Sequence, residues 1–224
     1  MRLLAISAAV AFSLAAAPFA EAGPDQQQAV DEALNVVREM HNGGNDIAAK
    51  ARELVRHSRA VLIVPELVKA GFIFGAQGGT GVLLARSGKH KWSDPAFYDL
   101  GAGSFGFQIG VEVSKVVLII MSDKALNAVM ENKVKLGAEA GLAVATLGAG
   151  AEASTTTNAG ADIYVIAESK GLFGGVAIEG GVMSPRHEWD AAYYGRNVSA
   201  RDIVVRGAVS NPGAGALRRA LGEL

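Results

Sequence analysis

The side chains best suited to binding chemistry are a group of cations in the first half of the chain. Between Lys50 and Lys91 there are eight basic and two acidic residues. A local excess of this kind is typical of a surface that binds an anionic partner. The alternative is that these cations are ordinary solvated residues on several elements. The whole chain has 21 Lys and Arg against 22 Asp and Glu, so it lacks the basic excess of nucleic-acid binders.

Two glycine-rich stretches resemble nucleotide-binding loops without meeting their requirements. Gly101–Gly106 has the spacing G-x-G-x-x-G, which in dinucleotide-binding folds leads into a helix whose N-terminus meets a pyrophosphate. Here a strand-like alternation follows instead. Gly75–Gly81 lacks the Gly-Lys-Ser/Thr ending of a phosphate loop. We therefore predict no nucleotide and no other cofactor.

Residues for metal or nucleophilic chemistry are few and far apart. The chain has no Cys, and His41, His57, His90 and His187 form no H-x-x-x-H or H-E-x-x-H pair. Ser104 lacks the glycine two positions before it that a G-x-S-x-G nucleophile elbow requires. Two carboxylates could still meet in the folded chain, because spacing alone does not reveal such a pair. We expect no catalytic site, no metal site and no enzyme activity.

The N-terminus has the composition of an export signal. Arg2 precedes an uncharged apolar run over residues 3–17, and Ala20-Glu21-Ala22 supplies the small residues of a cleavage site. The run is shorter than the ~20 residues that cross a bilayer. We expect a signal peptide over residues 1–22, cut after about Ala22, and a periplasmic protein. Since no Cys follows the run, we do not expect a lipoprotein.

Two amphipathic helices are predicted to follow. Residues 26–40 place apolar side chains at three- and four-residue spacings. After a turn at 41–44, Asn45 or Asp46 can cap a second helix that runs to about His57. The apolar face of the first helix can pack on the protein's own core or insert into a membrane, and the sequence leaves both open.

From Ala60 onward the apolar pattern changes to that of strands. Ala60–Val64 is expected to be a buried strand that ends at Pro65. Phe105–Ser114 alternates, with Val111 and Val113 on the expected core face. Residues 116–121 are apolar on both faces, as in a central strand.

The second half of the chain alternates short helices with short strands. Ser122 is expected to cap a helix over 123–131, and Ser199 with Asp202 forms a capping box. Gly/Ala-rich strands are expected near 134–146, 148–157, 161–169 and 174–183. The fold class is predicted to be α+β, with an antiparallel, barrel-like or sandwiched Gly/Ala-rich sheet, two N-terminal amphipathic helices and short peripheral helices.

An ordered series of short motifs resembles the SYLF domain family. The series extends over about residues 45–206, and several motifs in one order are more specific than any single one. The matching stretches are SRAVLIVP (58–65), KAGF (69–72), GGTG (78–81), KWSDP (91–95), GFQIGVEV (106–113), KGLFGGV (170–176) and ARDI (200–203). We predict a signal peptide (1–22), an N-terminal amphipathic helix and turn (23–44), a SYLF-like domain (45–206) and a C-terminal tail with a possible short helix (207–224).

The resemblance implies a non-enzymatic lipid-binding protein. Eukaryotic SYLF members bind phosphoinositide membranes with the help of an N-terminal amphipathic helix and basic residues, and some yeast members also bind actin. Exported bacterial members look like lipid-binding proteins of the cell envelope. For this chain the implied partner is an anionic phospholipid or membrane surface. A soluble periplasmic lipid carrier, or a structural or stress protein of the envelope that acts through protein partners, is the alternative.

The candidate lipid-binding residues are of two kinds. One group would contact phosphate head groups, and the other would insert into lipid or dock on the protein. The head-group candidates are Lys69, Arg86, Lys89 and Lys91, with Lys170 as a further one, and the apolar candidates are Val30, Leu34 and Val37.

Overall fold

A curled sheet with helices on both faces forms the centre of the protein. The computed structural model describes residues 24–71, 74–88, 90–105, 110–131, 134–136, 142–147, 160–169, 172–174 and 181–224. The signal-peptide prediction and the strand prediction at 148–157 lie outside these residues. In sheet order, the described strands of the main path run β6-β10-β4-β2-β1-β5-β8-β7, and the short β3 and β9 pair with β2 and β8.

The bounds of the elements are as follows. The helices are α1 (Pro24–Asn42), α2 (Asp46–His57), α3 (Asp123–Glu131), α4 (His187–Tyr194), α5 (Ala200–Val204) and α6 (Gly215–Glu223), with a 3-10 turn at Pro212–Ala214. The strands are β1 (Ala60–Gly71), β2 (Phe74–Gly88), β3 (Lys91–Trp92), β4 (Ala96–Phe105), β5 (Gly110–Ile120), β6 (Val134–Lys135), β7 (Val144–Leu147), β8 (Ile163–Ser169), β9 (Leu172–Gly174) and β10 (Val182–Pro185). The predicted α+β class is confirmed, although β7 pairs with β8 in parallel.

Two apolar layers sandwich one end of the sheet. Because side chains alternate along a strand, Leu62 and Val64 of β1 face one layer while Val61 and Ile63 face the other, and all four are fully buried. The first layer is completed by α3 and α5. The second is completed by α1, α2, α6 and Tyr193 of α4. We call the side of the sheet that carries α1 the α1 face.

Side-chain caps start α2, α3 and α5 where the sequence predicts them. The Asn45 side chain accepts a hydrogen bond from the backbone N–H of Ala48 and thereby starts α2. Ser122 caps α3 through the N–H of Ala125, and the capping box of Ser199 at the start of α5 is present. These interactions satisfy backbone donors that the first helical turn leaves without partners.

The first strand continues past Pro65, against expectation. A register shift between Val64 and Leu67 accommodates the proline as a bulge, after which β1 pairs with β5 as far as Gly71. Glycines on β2 allow the close approach at this point. A Cβ atom on Gly79 would overlap the carbonyl oxygen of Glu66, so the bulge and the glycine fit together.

The far end of the sheet lacks the expected core face. Val111 and Val113 of β5 were expected to be buried, but they are 73% and 51% exposed, and Val68 of β1 is 41% exposed. The expectation was wrong because alternation shows that two faces differ, whereas burial requires an element to cover one of them. Toward the other end of the same strand, Val116–Ile120 is buried as predicted.

Candidate functional site

The side chain of Arg86 on β2 interacts with other residues of the protein. Its guanidinium group lies over the Trp92 ring, 4.6 Å from the centroid. Its Nη2 donates to the Val55 carbonyl at 2.6 Å and its Nε to the Ser58 carbonyl at 3.1 Å. Burial lowers the pKa of Arg86. These contacts satisfy the carbonyls at the C-terminal end of α2 and hold that end against the sheet.

The two described lysines of the predicted head-group set lie far apart. Lys69 of β1 pairs in register with Gln77 of β2 and with Glu112 of β5. Lys91 of β3 is exposed and pairs with Gly88 of β2. From Gln77 to Gly88 the strand rises by roughly 36 Å at ~3.3 Å per residue. The structure therefore does not bring Lys69, Arg86 and Lys91 into one patch, and Lys89 and Lys170 lie outside the described residues.

The apolar candidates on α1 pack on the body of the protein. Val30, Leu34 and Val37 are all buried in the layer beneath α1. Of the two possibilities for this helix face, the structure thus shows docking. Gln27, near the start of the helix, donates to the Gly213 carbonyl, and Arg52 of α2 donates to the Met40 carbonyl at its end.

Where α1 meets α6, the two helices form an open cleft of about 260 Å³, which we call the α1–α6 cleft. Leu34 and Val37 contribute to its lining, so two of the predicted residues do belong to a concave surface. The full lining is Leu34, Val37, Arg38, His41, Asn42, Ala216, Arg219, Ala220 and Glu223. The cleft therefore combines aliphatic side chains with two guanidinium groups, an imidazole and one carboxylate.

Neighbouring arginines on α6 have different roles. Arg218 donates to the Trp92 carbonyl at 2.9 Å and pairs with the buried carboxylate of Asp94 at 3.0 Å. Arg219 lines the cleft, as does Arg38 of α1. Within the described part of the chain, neither Arg38 nor Arg219 has an ion pair or a side-chain hydrogen bond. Among the described residues nothing competes by ion pair or side-chain hydrogen bond for either guanidinium group, and each offers several N–H donors to an anion.

An ion-pair cluster ties the C-terminal half of α1 to the sheet. Lys115 of β5 contacts Glu39 of α1 at 2.5 Å and Glu168 of β8 at 3.6 Å. Burial opposes charge on Lys115, but the hydrogen bond that its ammonium group donates to Glu39 and the charges of both carboxylates outweigh this effect, so the pKa of Lys115 is raised. Burial, reinforced by Glu39, raises the pKa of Glu168. The cluster fixes the helix that forms one wall of the cleft.

Arg38 and Arg219 were not among the ligand-binding residues predicted from the sequence. Arg38 lies on the polar face of an amphipathic helix, and Arg219 belongs to a helix near the other end of the chain. Only the packing of α6 on α1 brings them to one cleft. The usable signal was the apolar spacing of residues 214–221, which predicts a helix that must bury one face somewhere.

The described residues offer neither a metal centre nor a membrane-spanning helix. Among the described residues, no group of three or more His, Cys, Asp or Glu side chains is arranged to hold a metal ion. None of the described helices has the length and apolar character needed to cross a bilayer.

Comparison with known proteins places the chain among relatives of one kind. The family model described as "Ysc84: Las17-binding protein actin regulator" matches residues 101–224, more than half of the chain. SH3 domain-containing YSC84-like protein 1 is 35% identical in Rattus norvegicus and 34% in Homo sapiens, each over 144 residues, which are 64% of this chain and 42% of the relative. LAS seventeen-binding protein 3 of Saccharomyces cerevisiae is 30% identical over 165 residues, 72% of this chain and 36% of the relative. The chain thus matches less than half the length of these curated relatives.

Proposed function

Because this chain belongs to the SYLF family, to which the Ysc84 model corresponds, we propose that it is a non-enzymatic lipid-binding protein of the bacterial cell envelope. Its ligand is the head group of an anionic phospholipid, and the α1–α6 cleft is the site. The signal-peptide composition of residues 1–22 supports a periplasmic location.

One observation carries the proposal. Arg38 and Arg219 line a single cleft without protein partners among the described residues, next to the aliphatic side chains of Leu34 and Val37. Guanidinium groups bind phosphate oxygens through paired, charge-assisted hydrogen bonds. Leu34 and Val37 are buried at the base of the cleft, but the half-buried Ala216 and Ala220 of α6 beside the arginines suit the glycerol and the first methylenes of a lipid. A free inorganic anion would gain nothing from that apolar part.

The size of the cleft limits what it holds. Ligand pockets that enclose a whole small molecule usually measure about 300–1,000 Å³, whereas this cleft measures about 260 Å³. It therefore accommodates a head group rather than two acyl chains. Each arginine near an anionic membrane contributes on the order of 1 kcal/mol, so we expect reversible, salt-sensitive association.

Co-sedimentation with vesicles tests the site. We expect Arg38→Glu with Arg219→Glu to raise the lipid concentration needed for half-maximal binding to phosphatidylglycerol vesicles about tenfold or more. The matched control is Lys135→Glu with Arg196→Glu, which makes the same change in net charge at exposed residues of β6 and of the turn after α4. Equal loss in both double variants, or no loss in the first, would exclude the cleft as the site.

The second candidate function is action through a protein partner. The family description, Las17-binding, and the name of the yeast relative, LAS seventeen-binding protein 3, describe proteins that bind another protein, and this favours a protein-binding role here as well. Binding to neither anionic nor zwitterionic vesicles would favour this candidate. A soluble lipid carrier is distinguished by native mass spectrometry, because only a carrier retains one lipid per chain after purification without vesicles.

A further inference from the structure

An apolar patch lies on the α1 face at the far end of the sheet. It consists of Val68, Val111 and Val113, and we call it the sheet-end patch. Four large hydrophobic side chains are exposed in the described part of the chain, and three of them form this patch. Exposed apolar residues normally occur singly, so a cluster indicates an interaction surface.

The three valines are neighbours in the sheet. Val68 lies directly opposite Val113 on β5, and Val111 lies opposite Ala70 on β1. Residues opposite each other on antiparallel strands have Cβ atoms about 4.5–5.5 Å apart, and residues two apart on one strand share a face. The patch is therefore continuous across two strands.

Few charged residues accompany the patch along its own strands. From Val68 to Gly81 and from Leu100 to Val113 the sequence holds only Lys69 and Glu112 as charged residues. These two oppose each other in register, and alternation places them on the other face of the sheet from the valines. The charges at the border of the patch, Lys115, Glu39 and Glu168, pair with one another, so the patch itself offers no unpaired charge pattern among the described residues that would select a charged protein surface.

Its extent is too small for a stable protein interface. Such interfaces bury about 800 Å² on each partner, and the exposed parts of three valine side chains fall far below that area. Insertion of a few apolar side chains into a membrane that is also held by head-group contacts requires no such area. The patch therefore fits a bilayer better than a second protein.

The patch also lies close to the proposed head-group site. Val113 is two residues from Lys115 on the same face of β5, and Lys115 contacts Glu39 of α1 at 2.5 Å. The preceding residue of that helix, Arg38, lines the α1–α6 cleft. The cationic cleft and the apolar patch are therefore linked through one helix on one side of the sheet.

We propose that the sheet-end patch enters the acyl-chain region of a bilayer while the α1–α6 cleft binds a head group. This inference rests on the proposed function and adds a second, apolar contact to it. It assigns membrane insertion to the end of the sheet, in place of the apolar face of α1, which the protein buries.

Single-cysteine labelling tests the insertion. The chain has no Cys, so Val111→Cys can carry an environment-sensitive fluorophore such as NBD without any other substitution. Arg196→Cys, exposed in the turn after α4, is the matched control. With phosphatidylglycerol vesicles we expect a blue shift at position 111 that lipids brominated on the acyl chain quench, and no change at position 196.

The possible results distinguish failure of membrane insertion from failure of head-group binding. Vesicle binding by both labelled proteins without a blue shift at position 111 would overturn the insertion and leave head-group binding intact. Absence of both vesicle binding and blue shift would overturn both. A blue shift that appears without vesicles and grows with protein concentration would assign the patch to a second copy of the chain and overturn the insertion.

An unlabelled variant gives an independent readout. Val111→Ser with Val113→Ser is expected to raise the lipid concentration for half-maximal binding about tenfold, because each inserted methyl contributes to membrane affinity. Since both side chains are exposed, we expect the unfolding midpoint to stay within error of wild type. Unchanged vesicle binding by this variant would contradict the insertion.

Discussion

The two ends of the same four strands differ in what covers them. At one end, Leu62, Leu83, Tyr98 and Leu118 are fully buried between helices and sheet. At the other end, Val68, Val111 and Val113 are exposed, although β1 and β5 resume their pairing after the bulge at Pro65. This difference shows that strand sequence alone does not distinguish the part of the sheet that stabilises the fold from the part that is available to a partner.

This contrast assigns stability and binding to different regions. The covered end buries large side chains on both faces, and loss of such contacts destabilises a protein by its lost burial and by the cavity left behind. The valines of the uncovered end contribute less to folding, because 41–73% of each residue remains in contact with solvent. Substitutions should therefore affect the free energy of unfolding at one end and lipid binding at the other.

The largest effect is expected for a cavity at the covered end. Leu118→Ala should lower the free energy of unfolding by about 2–5 kcal/mol, because Leu118 is fully buried in the layer shared with α3 and α5. Val113→Ala, at the uncovered end of the same strand, should change it by less than about 0.5 kcal/mol. Urea unfolding of both variants checks the pair, and similar losses would remove the contrast.

The next largest effect that we expect is a pH dependence of the free energy of unfolding, and it also arises at the covered end of the sheet. Burial raises the pKa of Asp190 on α4 to about 7, although its Oδ1 accepts a hydrogen bond from the Phe97 N–H. No hydrogen-bond partner for its Oδ2 is present in the described part of the chain. Between about pH 4 and pH 7 the folded protein therefore holds a proton that the unfolded chain has released, so stability falls as the pH rises.

Asp190→Asn should flatten this dependence. The slope lost is at most about 1.4 kcal/mol per pH unit for one proton, with the wild type most stable on the acidic side of the window. Chemical denaturation at several pH values between 4.5 and 7.5 checks the prediction. Parallel pH profiles of the two proteins would show that Asp190 does not titrate in this range.

The smallest effect that we expect is the difference in stability between variants at two adjacent arginines of α6. Arg218→Ala should cost about 2 kcal/mol, because it leaves the buried Asp94 carboxylate without its cation. Arg219→Ala should leave the free energy of unfolding within about 0.5 kcal/mol of wild type while weakening vesicle binding. Thermal unfolding and co-sedimentation of each variant check this, and loss of stability in both would place Arg219 in the framework of the fold.

Most of the helices could be predicted from local chemistry. The apolar spacing of α1 and α2 and the caps at Asn45, Ser122 and Ser199 are local signals, and each one appears in the structure where the sequence predicts it. Helix α4 was not predicted. It begins without a side-chain cap, and contacts of Trp189 and Tyr193 with Phe97 hold it in place.

The candidate site was less accessible to sequence reasoning, for a physical reason. A cluster of cations in sequence spreads along strands at about 3.3 Å per residue, so Lys69 and Lys91 end far apart. Arg86 was a plausible head-group residue, but it closes the end of α2. The cleft instead depends on the packing of α6 against α1, which brings Arg38 and Arg219 to one cleft from opposite ends of the described chain and which no local pattern encodes.

Binding of the wild-type protein to vesicles of two compositions is the most direct test of whether it binds anionic phospholipid. Its binding to phosphatidylglycerol and to phosphatidylcholine vesicles is measured by co-sedimentation at about 0.1 M and about 1 M salt, between which the Debye length falls from about 10 Å to about 3 Å. We predict binding to phosphatidylglycerol at low salt, marked weakening at high salt, and little binding to phosphatidylcholine. Equal binding to both lipids at both salt concentrations, or binding to neither, would contradict selective binding of anionic phospholipid.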